Sequence, residues 1–264
     1  MKNNLFKWKH FEKDIILLCV RWYLKHPLSY RNLKEMMEER GIVVTHTTIM
    51  RWVHQYSPII EERIRKHIRL TNDSWRMDET YITIKGKNAY LYRAVDSHGD
   101  TIDFLVSEKR DKRTARLFFN KALNAKHNQR PRVITTDKYK ATEIAIIEET
   151  YYGDLSCRTK HRMNQYLNNI IEQDHRFIKM KTNSMLGFKT FESAERTIAG
   201  IEIMHMIHKG QIEGIRCVLF EMQFINEIMS EAAYDFLLPK LLYVLLNYLH
   251  QNLKHHYNMM LFGI

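Results

Sequence analysis

The sequence predicts an α/β protein with a mixed five-stranded sheet, an all-α region ahead of it and further helices behind it. Three observations carry that prediction. Residues 75–106 hold three runs rich in aromatic, β-branched or alternating residues, Trp75–Ile82, Ala89–Val95 and Thr101–Val106, punctuated by Gly86 and Gly99, as in an antiparallel meander. After residue 110, segments of helical period alternate with a short apolar strand. Before residue 70, only helical spacing and helix caps occur. The boundaries drawn from these patterns are 1–70 for a helical region and linker, 71–211 for the sheet domain and 212–264 for a C-terminal helical extension.

A chain of 264 residues with 45% apolar content can bury one full domain and a smaller accessory one. The formal net charge of +11 favours a polyanionic partner, with nucleic acid the common one. Cys19, Cys157 and Cys217 are odd in number and far apart, so no disulfide framework is expected, and a reducing compartment is. Residues 1–10 are polar and lysine-bearing, without the apolar core of a signal peptide. The most apolar window, Phe236–Leu249, is broken by Pro239 and Lys240 and is too short to span a bilayer. A cytoplasmic protein with no membrane partner is expected.

In chain order, Phe11–Leu24 has apolar residues at helical spacing and stops before Pro27. Ser29 is placed as N-cap of a helix over Tyr30–Arg40 closed by Gly41, and Thr45 as N-cap of another from His46 to about Tyr56. Two short helices with a tight glycine-containing joint outline a helix-turn-helix. Its second helix is expected to expose His46, Thr47, Met50, Arg51 and His54 to a DNA groove while Ile49, Trp52 and Val53 face inward. Glu61–Leu70 reads as a charged helical linker. Past the meander, Asp111 caps a helix over Lys112–Ala125. Arg132–Thr136 reads as a central strand, Ala141–Thr150 as a crossover helix and Leu155–Arg158 as an edge strand. Asn164–Met180 forms a longer helix with Ile170, Ile171, Phe177 and Ile178 on its buried side and Glu172, His175, Arg176 and Lys179 opposite. Phe188–Lys209 is helical again, with Gly200 where another backbone can approach closely.

The chemistry is expected from three carboxylates. Asp78 interrupts a strand, Asp137 ends one, and Glu172 lies on a helix. A carboxylate in a strand needs a partner charge or a metal when buried. A meander followed by alternating helices and strands is the order of an RNase H-like domain, in which acids from the first strand, the fourth strand and a later helix converge. Two Mg²⁺ ions, hard cations that take oxygen ligands, would offset their mutual repulsion and assist phosphodiester displacement, with Mn²⁺ able to replace them. Alternation turns Glu79 away from Asp78, and Asp174 projects toward the apolar side of its helix, which sets both rivals aside.

The motifs Asp78-Glu79-Thr80-Tyr81, Tyr90-Leu91-Tyr92-Arg93-Ala94-Val95-Asp96, Thr136-Asp137-Lys138 and Asn168-Asn169-Ile170-Ile171-Glu172-Gln173-Asp174-His175 resemble the DDE transposases of the IS6 family of bacterial insertion sequences. So do Met185-Leu186-Gly187-Phe188-Lys189 and Thr197-Ile198-Ala199-Gly200-Ile201-Glu202. Ser29-Tyr30-Arg31-Asn32-Leu33 and Thr47-Thr48-Ile49-Met50-Arg51-Trp52-Val53 are similar to that family's helix-turn-helix. The 34 residues between Asp137 and Glu172 match its spacing of the second and third acids. The resemblance covers about residues 10–211. It implies a retroviral integrase-like catalytic domain, with Asp78, Asp137 and Glu172 as catalytic metal ligands. The expected partners are double-stranded DNA, as terminal inverted repeats and target, and a second copy of the chain, as a homodimer or higher oligomer. It also implies 3′-end cleavage and strand transfer giving a cointegrate, nucleoid association in the bacterial cytoplasm and no nucleotide cofactor. From position alone, Arg176 and Lys179 are placed as phosphate contacts. The alternative is a decayed copy that binds inverted repeats without cutting. Residues 234–264 are leucine-rich and suit self-association as a helix. Cys157, His161, His205 and His208 lack the paired spacing of a zinc site.

Overall fold

A computed structural model of the protein describes residues 5–7, 9–164, 169–185, 187–215 and 217–230. Residues 9–213 form one compact unit, and residues 1–8 with 214–264 form another, whose described helix is Val218–Ile228. The leucine-rich segment expected to self-associate lies outside the described residues. Among the described residues, no helix is long and apolar enough to cross a membrane.

The large unit opens with three helices, α1 (Lys13–Lys25), α2 (Tyr30–Glu38) and α3 (His46–Ile64). The expected caps are present. The Ser29 hydroxyl accepts from the Asn32 amide at 3.1 Å while Asn32 Oδ1 accepts from the Ser29 amide at 3.0 Å, and Thr45 accepts from the Thr48 amide at 3.2 Å. Ile49, Trp52 and Val53 are buried as expected. Helix α3 does not stop near Tyr56. It runs through Pro58 and takes in the first four residues of the expected linker, Glu61–Ile64. An internal proline removes one backbone hydrogen bond. The burial of Tyr56, Ile60 and Ile64 on the same helix offsets that loss.

Strands β1 (Ser74–Ile84), β2 (Lys87–Val95) and β3 (Thr101–Ser107) form the predicted meander. The β1–β2 loop is Lys85-Gly86, both at positive φ (52° and 72°), the two-residue turn whose twist suits a hairpin. Helix α4 (Lys112–Asn124), strand β4 (Val133–Thr136), helix α5 (Lys140–Tyr151) and strand β5 (Lys160–Met163) follow. The sheet order is β3-β2-β1-β4-β5, with β4 and β5 parallel to β1 in register. This mixed five-stranded sheet, antiparallel on one side and parallel on the other, is the RNase H-like arrangement. The edge strand is not Leu155–Arg158. Leu155 is buried in the core, and the pairing begins at Lys160. Trp75, Met77, Tyr92, Phe118, Phe119 and Ile134 anchor the core between the sheet and α4–α5.

On the other side lie α6 (Asn169–Ser184) and α7 (Phe191–His208). Residues 165–168, in the expected first turn of α6, are outside the described ones. Ile170 is 37% exposed and His175 is buried, the reverse of their expected sides. His175 is drawn inward by charged groups that helical periodicity does not see. Gly200 is where neighbours crowd α7. A Cβ there would lie 2.7 Å from Leu24 Cδ1 and 2.8 Å from Ser57 Cβ, so α1, α3 and α7 meet at a residue without a side chain.

Candidate active site

Register places the acids. Arg76 pairs with Thr135 across the parallel β1–β4 ladder, so two residues further on Asp78 comes level with Asp137, the first residue past β4. Ligand oxygens of Asp78, Glu79 and Asp137 all lie within 4.8 Å of one another. The side chains of Asp78 and Asp137 are 20% and 32% exposed, while that of Glu79 is 4% exposed. The exclusion of Glu79 is therefore corrected. Its side chain reaches the same spot, although it makes contacts of its own: Arg110 Nη2 donates to Glu79 at 3.0 Å and to Asp137 at 3.3 Å. Burial, only partly opposed by Arg110, pushes the Glu79 carboxyl up to about 6, with the charges of Asp137 and Asp78 adding to the rise. Arg110 itself lies 3.9 Å from the centroid of the Tyr139 ring. The Tyr139 amide donates to Asp137 Oδ1 at 3.0 Å.

Glu172 is exposed in the first turn of α6 and does not belong to that cluster among the described residues. It lies one helical turn before His175, whose Nε2 is 3.3 Å from Asp78 Oδ2. Arg176 and Lys179 are exposed on the same helix, and Lys138 is exposed beside Asp137. At the N-terminal helices, His46, Thr47 and Arg51 are exposed, and Met50 and His54 are half-buried. Arg51 and His54 line a cavity of about 710 Å³ with Phe104, Lys121 and Arg196. Burial and the Arg196 charge push the His54 imidazole down. Of the residues considered for zinc, His161 hydrogen-bonds to Thr136 at 2.9 Å and His205 to Asp174 at 2.6 Å.

Behind the acids lies a charged network that sequence reasoning missed. The Arg93 side chain is fully buried. It donates to both carboxylate oxygens of Glu202, at 2.7 and 2.9 Å, and to Asp174 at 2.6 Å. Asp174 also accepts from Lys209 at 3.2 Å. Burial alone would raise the Asp174 carboxyl; the hydrogen bond from His205 and the charges of Arg93 and Lys209 outweigh it and hold the group well below the usual range. The available signal is an isolated Arg93 or Glu202 inside an otherwise apolar run, because a lone charge there demands a distant partner.

Three carboxylates, two of them paired with Arg110 and the third beside the His175 imidazole, leave the open cluster with excess negative charge. Its donors are hard oxygens, which suits a divalent cation such as Mg²⁺ or Ca²⁺ and not a thiophilic one. A mixed sheet that brings acids from β1 and the end of β4 together is the layout of an RNase H-like domain. A family model described as a DDE domain matches residues 72–211. The transposase for insertion sequence-like element IS431mec of Staphylococcus aureus is 38% identical over 208 residues, covering 78% of this chain and 89% of that protein. The transposase for insertion sequence element IS257 in transposon Tn4003, from the same species, is 37% identical over the same coverage. The chain belongs to the DDE transposases of the IS6 type. Solved structures similar to it include the HTLV-2 integrase catalytic core domain in complex with magnesium, at 18% identity, TM-score 0.34, 61% of this chain and 84% of that one. Another is a simian T-cell lymphotropic virus intasome, at 17% identity, TM-score 0.38, 63% of this chain and 62% of that one.

Proposed function

We propose that this transposase cleaves the 3′ ends of its element's inverted repeats and joins them to target DNA, with Asp78, Asp137 and Glu172 as the metal-holding acids. The observation that carries this is the convergence of Asp78 and Asp137 from two strands within 4.8 Å at a partly exposed edge. Glu172 completes the set from α6, whose His175 already touches Asp78. Two Mg²⁺ ions, or Mn²⁺ in their place, supply Lewis-acid assistance to the attacking and leaving oxygens when bound. The chain's own part is to orient the carboxylates and to hold DNA. Arg110 offsets part of the cluster's charge, which Glu79 alone would worsen.

Residues 1–70 form the DNA-binding part and 71–211 the catalytic part. His46, Thr47 and Met50, in the first turns of α3, are the candidates for base contacts, with Arg51 and His54 further along the same helix. Arg176 and Lys179, exposed on the Glu172 helix, hold phosphates. The partners are double-stranded inverted-repeat ends, target DNA and a second copy of the chain, because two element ends must be joined together. The setting is the bacterial cytoplasm and nucleoid.

The test uses DNA ending in the parent element's inverted repeat. Asp137→Asn is expected to reduce Mg²⁺-dependent strand transfer by more than about a thousandfold, or 4 kcal/mol of barrier, while end binding changes little. Strand transfer that survives the substitution would remove Asp137 from the reaction, and an equal loss of binding would make it a structural residue.

A further inference from the structure

Asp78 and Arg93 are direct cross-strand neighbours in the β1–β2 ladder, so both side chains leave the same face of the sheet. A salt bridge between them is the simple expectation. The structure avoids it. Arg93 spends its donors on Glu202 and Asp174, and reaches Asp78 only through His175: Arg93 Nη1 lies 3.3 Å from His175 Nδ1, and His175 Nε2 lies 3.3 Å from Asp78 Oδ2.

The donor rules fix the hydrogens of this chain. A guanidinium only donates, so His175 Nδ1 must accept. The ring hydrogen then sits on Nε2 and is donated to Asp78. Glu202 and Asp174 absorb the charge of Arg93, and the contact made to Asp78 comes from an imidazole N–H in place of a competing cation. Such a contact restrains rotation of the carboxylate and leaves its negative charge for a divalent ion. His175 is 4% exposed and makes this contact from the helix that also carries Glu172.

We propose that His175 is a positioning residue for the metal site, its tautomer set by Arg93, and that it aims Asp78 while fixing α6 against β1. The inference rests on the assignment of the acids as metal ligands. It belongs to this chain's own side chains and is read out by metal affinity, independently of turnover.

The test is Mn²⁺ binding to the full-length protein without DNA, followed by calorimetry or by the electron paramagnetic resonance of the free ion. His175→Leu is expected to weaken binding about 10- to 100-fold. His175→Gln, whose amide nitrogen replaces Nε2 as a donor, is expected to stay within about threefold of the parent. His175→Asn keeps a polar group toward Arg93 but stops short of Asp78. It is expected to match the leucine variant, and it gives the same reading should that variant not fold. Parental affinity in His175→Leu or His175→Asn overturns the proposal, as does equal weakening in all three variants, which would mark a packing role. Asp137→Asn separates the two levels. If it binds Mn²⁺ as the parent does, the ligand assignment falls and the proposal with it. If it loses binding while His175→Leu does not, the proposal alone falls.

Discussion

Two groups of charge lie on either side of His175 in this domain, and they are built on opposite rules. Glu79 and Asp137 share the guanidinium of Arg110 at a partly exposed edge, Asp78 beside them meets the His175 imidazole, and the three acids are left with an excess of negative charge. Asp174 and Glu202 are matched by Arg93 and Lys209 in the interior, where almost every contact is a hydrogen bond between charged groups. The balanced group can be buried because each ion has lost water and regained a partner. The unbalanced group keeps its cost unless a cation arrives, which is what a metal-holding site requires. The lesson is that the count of charges, more than the number of acids, separates a site from a strut.

The largest expected effect is on the strut. Glu202→Gln leaves the Arg93 guanidinium with one carboxylate fewer in a fully buried place. Removing one partner of a buried pair costs about 3–5 kcal/mol. Urea denaturation of the variant should show that loss in full, with the transition at correspondingly lower denaturant. A loss below about 1 kcal/mol would break the comparison, since the buried network would then matter no more than a surface ion pair.

The two groups also differ in how far they could be read from the chain. The meander was legible because its runs alternate between glycine turns, and Asp78 stands out in a strand. Asp137 could be placed because Thr136 ends an apolar run. Strand β5 could not, because Lys160–Met163 is polar and three of its four residues are exposed, so no apolar period marks it. Glu79 shows a different limit. Alternation assigns a Cβ to one face of a sheet, but a carboxylate at the end of a side chain can reach back to the strand edge. The Arg93 network was hidden for a third reason. Its ion pairs join residues 81 and 109 positions apart, and no spacing rule predicts them. Only the demand of an isolated charge for a partner hints at it.

Lys181 sharpens the contrast by offering a third arrangement, a buried cation whose hydrogen-bond partners among the described residues are carbonyl oxygens. Its Nζ donates to the carbonyl oxygens of Tyr23, at 2.8 Å, and His26, tying the end of α6 to the end of α1. Burial pushes its ammonium down to about 7. With the folded value depressed below the unfolded one, the unfolded chain binds the extra proton between about pH 7 and the ordinary lysine range. Stability therefore rises with pH across that window. From pH 7 to 8, where ionisation of Cys19 in the unfolded chain opposes it only weakly, the gain is on the order of 1 kcal/mol. Lys181→Met should remove that rise in a comparison of denaturation midpoints at the two pH values. A variant whose pH dependence matches the parent's would show that the carbonyl contacts keep Lys181 charged throughout.

The smallest expected effect is the sharpest, because its sign is the reverse of the first. Asp137→Asn subtracts one negative charge from the cluster that has too many, and its amide oxygen still accepts from the Tyr139 amide. Without divalent ions the variant should be as stable as the parent or more so, by about 0.5 kcal/mol, since relief of repulsion outweighs a half-exposed contact with Arg110. The gain should shrink as salt is raised, because screening weakens repulsion at an exposed edge. Thermal unfolding in a chelator at low and high ionic strength measures both. A destabilised variant would mean that Arg110 already balances the cluster and that no excess charge waits there for a metal. A stabilised one, together with lost strand transfer, is the behaviour of a group kept for chemistry at the expense of the fold.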